Sequence, residues 1–255
     1  MLSSETQSAS LAIGAQSIQF DLRTLPDITQ EILNHEPTGW RTVVTPNLHH
    51  MRLLRQDPSL LDLYQDFDLL LPDGWPVAWM LSRIGNRRVD RVAGSDLLES
   101  ILNASGGGRA LVLVGGTDEE TLAIVERRAA ANGWQVVTEP APRAEVEGEK
   151  TRKALLQRVS KRGHGGLVVI GLGAPKQELL AHEMRKLCGS GSILCLGMAI
   201  NFSAGTVARA PVWIQKLRME WIYRIKQEVR RLLPRYFKDA FYLPTLVLQN
   251  RRRLQ

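Results

Sequence analysis

The chain has 255 residues, a formal net charge of +7 and 44% hydrophobic residues. This is enough apolar material for one large domain with a core, and it excludes a disordered or collagen-like chain. No apolar run reaches the ~18 residues that a membrane-spanning helix needs, and residues 1–15 lack the charged start of a signal peptide. Since there are only two cysteines, we expect a cytoplasmic protein with reduced thiols.

The positive charge is concentrated at the end of the chain. Residues 209–255 hold twelve lysines and arginines against three acidic residues, a local net charge of +9 that leaves residues 1–208 at −2. This asymmetry indicates an anionic partner, which could be a nucleic acid, an acidic membrane surface or a phosphorylated ligand. A solvated surface helix with no partner is the alternative.

This basic segment also has a helical pattern. From Pro211 to Leu233, apolar residues recur on one helical face and most basic residues fall on the other. Four aromatic residues follow, Tyr236, Phe237, Phe241 and Tyr242. Aromatic rings beside cations suit a membrane–water interface, although the apolar face could equally pack on the rest of the protein.

Residues 17–208 alternate between strand-like and helix-like segments, which predicts a mostly parallel sheet with helices on both faces. We expect residues 1–16 to be a flexible N-terminus, residues 209–255 to be a C-terminal helical appendage, and Gly106–Gly108 to be a joint between two halves of the domain. The predicted strands are Ser17–Leu22, Arg41–Thr45, Phe67–Leu71, Ala110–Val114, Trp134–Thr138, Leu167–Ile170 and Ile193–Leu196.

Ligands of such sheets bind beyond the carboxyl ends of the strands. Four strand ends carry suggestive residues, namely residues 45–47 (TPN), 72–74 (PDG), 115–117 (GGT) and 171–178 (GLGAPKQE). Glycines let the backbone approach a ligand and helix N-termini offer N–H groups to phosphate, but turns need glycine too. Neither glycine-rich loop matches the dinucleotide or Walker pattern, so NAD and ATP are not indicated.

Asp73 is the candidate general base, because a carboxylate at a strand end can point into the binding crevice. The alternative is an ordinary Asp–Gly turn. Asp66 and Asp68 form a D-x-D pair typical of metal sites, but the pair precedes an apolar run and more simply begins a strand. Since His49 and His50 are adjacent and no residues have zinc spacing, we expect no metal.

Five motifs in order resemble the WecG/TagA/CpsF glycosyltransferase family. They are residues 45–47, 71–74 (LPDG), 91–97 (RVAGSDL), 171–178 and the pair 204–211 (AGTVARAP) with 220–224 (EWIYR). The resemblance runs from about residue 17 to residue 242. It implies a Rossmann-like α/β domain with a C-terminal helical appendage that helps to close the site and approach the membrane.

The resemblance also implies an activity. This is the metal-independent, inverting transfer of a sugar from a UDP-sugar to a polyprenyl-diphosphate-linked sugar at the inner face of the bacterial plasma membrane. The products would be exopolysaccharide, teichoic acid or enterobacterial common antigen. The donor would be of the N-acetylmannosamine type or glucose, and no cofactor is expected.

By this resemblance, Asp73 takes the proton from the acceptor hydroxyl, and an aspartate is ordinarily ionised at neutral pH, although it is only a modest base. Thr45 and Asn47 flank that site, and Arg91 is a cation near the acceptor or the phosphates. Arg209, Arg224 and Arg231 of the appendage would stabilise the departing UDP. Gln177 and the glycine loop around it, with Gly171, Gly173 and Glu178, match the nucleotide-sugar pocket. Gly115, Gly116 and Asn201 are further candidate substrate-binding residues.

The sequence departs from the family pattern at Asn201, where many members carry an aspartate, and at residues 218–219, where many carry a glycine. Asn201 cannot supply negative charge, so the donor sugar is open. The acceptor sugar, the linkage and the oligomeric state, including a homo-oligomer, are open as well.

Two hypotheses of other kinds remain. One is a non-catalytic module that binds a membrane or nucleic acid through the basic segment, although no RNA-binding motif supports nucleic acid as a partner. The other is a phosphate-recognising enzyme such as a nucleotidase.

Overall fold

The computed structural model describes residues 7–34, 38–208 and 229–254, together with Pro211, Ile214 and Tyr223. The strands are β1 (Ser8–Ile13), β2 (Gln16–Asp21), β3 (Trp40–Val44), β4 (Leu69–Leu70), β5 (Ala110–Gly115), β6 (Gln135–Glu139), β7 (Gly166–Gly171) and β8 (Gly191–Cys195). The helices are α1 (Leu25–Asn34), α2 (Leu48–Gln56), α3 (Pro58–Gln65), α4 (Trp75–Ile84), α5 (Gly94–Asn103), α6 (Glu119–Ala131), α7 (Arg143–Glu147), α8 (Glu149–Gly163), α9 (Lys176–Arg185), α10 (Ala199–Ala204) and α11 (Val229–Asn250). A short 3₁₀ turn, Arg251–Arg253, follows α11.

Six strands form one parallel sheet in the order β4-β3-β8-β7-β5-β6. The central strands are continuous apolar runs because helices cover both of their faces, and β7 and β8 are almost entirely buried. From β3 the chain moves outward to the edge strand β4. It then crosses the sheet to β5 and to the other edge strand β6, and it returns inward through β7 to β8, which lies next to β3. The predicted Rossmann-like α/β fold is therefore confirmed, and the carboxyl ends of β3, β8 and β7 meet near the point where the strand order reverses.

Two apolar clusters enclose the sheet. One contains buried residues of the N-terminal strands, of α2, α3, α4, α8 and α9, and of the C-terminal helix α11. The other contains buried residues of α1, α5, α6 and α10 on the opposite face. The sheet is thus the middle layer of three.

The N-terminus is more ordered than the sequence suggested. β1 and β2 form an antiparallel hairpin in which Leu11 pairs with Ile18 and Ala9 with Phe20. The side chain of Asn250 bonds to both main-chain groups of Ala12, accepting from its N–H at 2.8 Å and donating to its carbonyl at 3.0 Å. The prediction of a flexible segment over residues 1–16 is therefore wrong for Ser8–Ile13.

The glycines at 106–108 do not divide the molecule. The N–H of Gly106 donates to Asn132 O and that of Gly108 donates to Gly133 O, both at 2.8 Å, so this turn is fastened to the turn between α6 and β6. Strands from before and after the turn lie in the same sheet. The expected joint between two halves is therefore not present.

The C-terminal helix α11 packs on the body of the protein. Leu246 is fully buried, and burial raises the pKa of the Tyr242 phenol to about 12. In contrast, Phe237 and Phe241 are 59% and 76% exposed. α11 thus docks with one face and presents the other, while most of the amphipathic helix predicted from Pro211 lies outside the described residues. Across the described ranges, no helix has the length and the hydropathy needed to cross a bilayer.

Candidate functional site

The strand ends of β3 and β4 continue side by side beyond the sheet. The N–H of Asp73 donates to the carbonyl of Pro46 at 3.0 Å, and the N–H of Val92 donates to the carbonyl of Pro72 at 2.7 Å. Three segments around residues 46, 73 and 92 are therefore joined to one another by main-chain bonds. We call residues 45–47 and 72–74, at these two strand ends, the Asp73 side.

Asn47 connects this side to a helix. It is the N-cap of α2, and its Oδ1 accepts from the N–H of His49 at 3.1 Å. Its Nδ2 lies 3.4 Å from Oδ2 of Asp73 and donates to it. The next residue, Gly74, has a φ of +76° and begins α4, a conformation that favours glycine. Asp73 is thus placed by two loops and bonded by an amide that is itself fixed at a helix N-terminus.

Asp73 and Asn47 line a cleft of about 1610 Å³. One wall is α4 with the loop that follows it, and the other is α11. The cleft brings Asp73, Asn47 and Arg91 of the predicted site together. Aromatic and basic side chains of the two walls also line it, and these are Trp75, Trp79, Arg83, Arg87, Arg88, Arg235, Tyr236, Phe237 and Phe241.

Thr45 lies beneath this site rather than in it. Its side chain is buried, and a Cβ at Gly94 would come within 3.2 Å of its Oγ1 and 3.0 Å of Leu196 O. Glycine at 94 therefore allows the first turn of α5 to approach the ends of β3 and β8. Thr45 supports the loop that carries Asn47, and it is not among the residues that line the cleft.

The second predicted group is at the ends of β5 and β7, and we call residues 115–117 and 171–178 the glycine side. Gln177 joins two of its turns, because its Oε1 accepts from the N–H of Gly173 at 3.3 Å and from the N–H of Gly197 at 2.9 Å. Its Nε2 donates to Oε1 of Glu178 at 2.8 Å. Both side chains are buried, so they hold the turns from inside.

Two of the predicted glycines are explained by packing against protein. A Cβ at Gly115 would lie 2.9 Å from Gly171 O, and a Cβ at Gly171 would lie 2.9 Å from Gly197 O and from Cδ1 of Ile200. The close backbone approach that requires glycine at these positions is therefore to neighbouring strand ends. Gly173, with a φ of +76°, faces open space, and Gly116, with a φ of +97°, lies over Leu122.

Asn201 of α10 is bonded to the glycine side. Its side chain is buried, and its Nδ2 donates to Oγ1 of Thr117 at 2.7 Å. This bond joins α10 to the turn after β5. At the position where many family members carry an aspartate, this chain thus has an amide that bonds a helix to a strand-end turn.

The buried polar residues show how the two sides are connected. His50 Nε2 lies 3.6 Å from Oε1 of Glu178, while its Nδ1 accepts from the N–H of Asn47 at 3.1 Å. Burial and the carboxylate of Glu178 raise the pKa of the Tyr64 phenol and of the Cys195 thiol well above their usual values. Sequence reasoning did not assign His50 a role, although the TPN-x-x-H spacing is a capping-box pattern.

A second group holds the far wall of the cleft. Asp239 of α11 is buried, and its Oδ1 accepts from Nε of Arg52 at 2.7 Å and lies 3.3 Å from Nδ1 of His49. Burial lowers the pKa of His49. Burial opposes ionisation of Asp239, but the bonds from His49 and Arg52 outweigh it and lower its pKa. α11 is thus anchored to α2 one turn after Asn47.

Three predicted arginines of the appendage cannot be placed. Arg209 and Arg224 lie outside the described residues, and Arg231 lies in α11 with its side chain outside the description.

Asp66 and Asp68 lie before the amino end of β4, whereas Asp73 lies beyond its carboxyl end. Asp68 accepts from the N–H and hydroxyl of Thr42 at 2.7 and 2.8 Å, which explains this residue as a strand start. Among the residues that the structure describes, no three His, Cys, Asp or Glu side chains are grouped as a metal site would need.

The sequence that forms this site matches a known protein family. A sequence model of the glycosyl transferase WecG/TagA/CpsF family matches residues 14–255, which is nearly the whole chain. That range includes both sides of the strand-end region and the α11 wall of the cleft, in agreement with the five motifs. The chain therefore belongs to the WecG/TagA/CpsF family of glycosyl transferases.

Proposed function

We propose that this glycosyltransferase moves a sugar from a UDP-sugar to a polyprenyl-diphosphate-linked sugar, with inversion at the anomeric carbon and without a metal. The observation that carries the proposal is the place of Asp73, a carboxylate at a strand end that lines the same cleft as Arg91. Its two loops are fixed by main-chain bonds, so the carboxylate is held before substrate arrives.

In the proposed reaction Asp73 accepts the proton of the acceptor hydroxyl. The hydroxyl oxygen forms a bond to the anomeric carbon from the face opposite UDP, and the bond from that carbon to the UDP oxygen breaks. The electron pair of the broken bond leaves with UDP, so UDP departs as the anion. The amide of Asn47 donates to Oδ2 of Asp73 and so helps to fix the orientation of the carboxylate that takes the proton.

Positive charge for the diphosphates is available without a metal. Arg83, Arg87, Arg88 and Arg91 line the cleft on the α4 side. Guanidinium groups bind phosphate oxygens through paired N–H donors, so they can stabilise the leaving UDP or hold the acceptor diphosphate. Arg209, Arg224 and Arg231 are proposed to add to this charge, and Gly173 with the turn held by Gln177 is proposed to border the donor.

The aromatic walls suggest where the lipid part of the acceptor lies. Trp75 and Trp79 of α4 and Phe237 and Phe241 of α11 are exposed, and they flank the same cleft. Exposed aromatic rings with neighbouring cations suit the headgroup region of an anionic membrane. We therefore propose a peripheral enzyme at the inner face of a bacterial plasma membrane, with residues 209–255 on the lipid surface, that builds a cell-surface polysaccharide.

The test is an assay of Asp73→Asn with a panel of UDP-sugars, including UDP-glucose and UDP-N-acetylmannosamine, and a synthetic polyprenyl-diphosphate glycoside. Loss of a general base is expected to lower kcat by about 10²- to 10⁴-fold while the protein stays folded. Asp62→Asn, which removes an exposed aspartate from α3, is the matched control and should keep full activity.

Three outcomes would contradict parts of the proposal. Full activity of Asp73→Asn would exclude the role of this residue as the base. Inactivation by EDTA with recovery in Mn²⁺ or Mg²⁺ would exclude a metal-independent reaction. Release of UDP at the same rate without the lipid-linked acceptor would indicate hydrolysis instead of transfer.

A further inference from the structure

A chain of polar side chains, buried at Gln177, Glu178 and His50, connects the glycine side to the Asp73 side. It begins at Gln177, which bonds the turns at Gly173 and Gly197, and it continues through Glu178, His50 and Asn47 to Asp73. The chain crosses from β7 to β3, the two sides of β8 in the sheet. Its members come from distant parts of the sequence and meet only in the fold.

Glu178 is the least expected member of this chain. Its side chain is fully buried, and its Oε2 has no hydrogen-bond partner among the described residues. A buried carboxylate is costly unless it is paired and bonded. Its polar neighbours include the amide of Gln177 at 2.8 Å and the imidazole of His50 at 3.6 Å, and its charge also acts on the Tyr64 phenol and the Cys195 thiol. A side chain kept in this position at such a cost is a candidate for a role beyond packing.

The bonds of His50 show what Glu178 can do. Nδ1 of His50 has two opposed contacts with Asn47. The Asn47 N–H at 3.1 Å can only donate and needs Nδ1 without a proton, whereas Oδ1 at 2.9 Å can only accept and needs a protonated Nδ1. The position of Glu178 favours the first arrangement, because the ring proton is then on Nε2, which faces Oε1 of Glu178 at 3.6 Å with no closer partner among the described residues. In this tautomer the capping box of α2 is complete.

The other tautomer would bond a different group of Asn47. A proton on Nδ1 would donate to Oδ1 of Asn47, which lies 2.9 Å away, and would leave the Asn47 N–H without this acceptor. An unprotonated Nε2 would then face a carboxylate, which is unfavourable. Glu178 therefore selects the tautomer, and the tautomer decides which group of Asn47 the imidazole engages.

We propose that His50 and Glu178 are positioning residues that hold the main chain of Asn47, through the Nε2-protonated tautomer, at the helix N-terminus from which its amide donates to Asp73. The inference rests on the proposed function of Asp73. It adds that the base is oriented from the glycine side, by a carboxylate next to the residue that fixes the turns there. Neither residue contacts the reacting atoms.

The first experiment does not depend on turnover. The ¹⁵N shifts of the ring nitrogens are measured in histidine-labelled protein, which has five histidines, and His50 is assigned by comparison with His50→Gln. We expect a protonated Nε2 and an unprotonated Nδ1. Glu178→Gln, whose amide can donate to Nε2, is expected to shift His50 toward protonation at Nδ1. A wild-type His50 protonated at Nδ1 overturns the inference.

The second experiment separates orientation from stability. His50→Asn keeps an acceptor near the Asn47 N–H and loses the contact to Glu178, and Glu178→Gln keeps the size of the side chain. For misplacement of the base we expect kcat to fall by about 10- to 100-fold in each. KM for both substrates should stay within about twofold of wild type, because no substrate contact is lost. His50→Asn gives the answer if Glu178→Gln does not fold.

Glu183→Gln is the matched control, because it neutralises a glutamate of the same helix that bonds Arg152 at the surface. It should leave kcat unchanged. Combining Glu178→Gln with Asp73→Asn should lower kcat no further than Asp73→Asn alone. A fully additive loss, or a folded His50→Asn with wild-type kcat, overturns the inference. If Asp73→Asn is active, the proposed function fails, and the ¹⁵N shifts still decide whether Glu178 sets the tautomer.

Discussion

The Asp73 side and the glycine side occupy neighbouring strand ends of one sheet, but they are built differently. At the Asp73 side, main-chain bonds run between loops and the side chains of Asp73 and Asn47 face the cleft. At the glycine side, neighbouring backbone occupies the space beside Gly115 and Gly171, and the buried side chain of Gln177 bonds the turns at Gly173 and Gly197. A glycine-rich strand end can thus be a packing device, while the polar strand end beside it borders the cleft.

Gly171→Ala has the largest expected effect on stability, and it tests whether this glycine is required for packing. The new Cβ would lie 2.9 Å from Gly197 O and from Ile200 Cδ1, so we expect overpacking to lower the free energy of unfolding by about 1–3 kcal/mol. Gly39→Ala, where a Cβ meets nothing within 4 Å, is the control and should change it little. Thermal and denaturant unfolding measure both. Unchanged stability with a raised KM for the donor would instead assign Gly171 to the ligand.

A smaller effect is expected at the anchor of the cleft's far wall. Asp239→Asn keeps an acceptor for Arg52 but removes the charge, so we expect a loss of about 1 kcal/mol at pH 7. The folded-state pKa of Asp239 is lowered below its ordinary 3.8, so its contribution is present above that value and is lost as the pH falls below it.

The variant should therefore show a flatter loss of stability below about pH 4 than the wild type, as measured by unfolding curves across pH. Asp90→Asn, which removes an exposed partner of Arg88, is the control for a surface pair. An unchanged pH dependence in Asp239→Asn would show that other groups anchor α11.

The smallest change in stability is expected on the open face of α11. Phe237 and Phe241 are mostly exposed with ring centroids 6.1 Å apart, so replacing both with alanine should leave unfolding within ~0.5 kcal/mol of wild type. Binding to vesicles with anionic lipids should weaken by about tenfold or more, because less apolar area enters the interface. Co-sedimentation with vesicles measures it, and equal binding would remove these rings from the membrane proposal.

Much of the fold could be predicted because its signals are local. All seven predicted strands are present, since short buried apolar runs bounded by turns are distinctive. The first strand was missed although Leu11 and Ile13 alternate with more polar positions, because its serines suggested a tail. This strand is held in part by the bond between Ala12 and Asn250, which are 238 residues apart in the sequence. A local sequence pattern cannot predict such a contact.

The site was predicted only in part, and for the same reason. Asp73 and Asn47 stand in short motifs, so their place at a strand end could be expected. The contact of His50 with Glu178 depends on how α2 and α9 meet across the sheet, and each residue alone is unremarkable in sequence. The sequence alone could not show whether Gly115 and Gly171 serve packing or ligand binding, since a close approach of backbone and a close approach of a ligand both require glycine.

The two hydrogen bonds between Asn250 and Ala12 have a consequence for C-terminal truncation of the chain. An uncovered strand edge is a template for self-association, and Asn250 occupies main-chain groups of β1 that would otherwise be open. Truncation before residue 250 would therefore expose main-chain groups along the edge of β1, near the N-terminus, and would favour aggregation. Point substitutions in α11 avoid this effect, because they keep Asn250 in place.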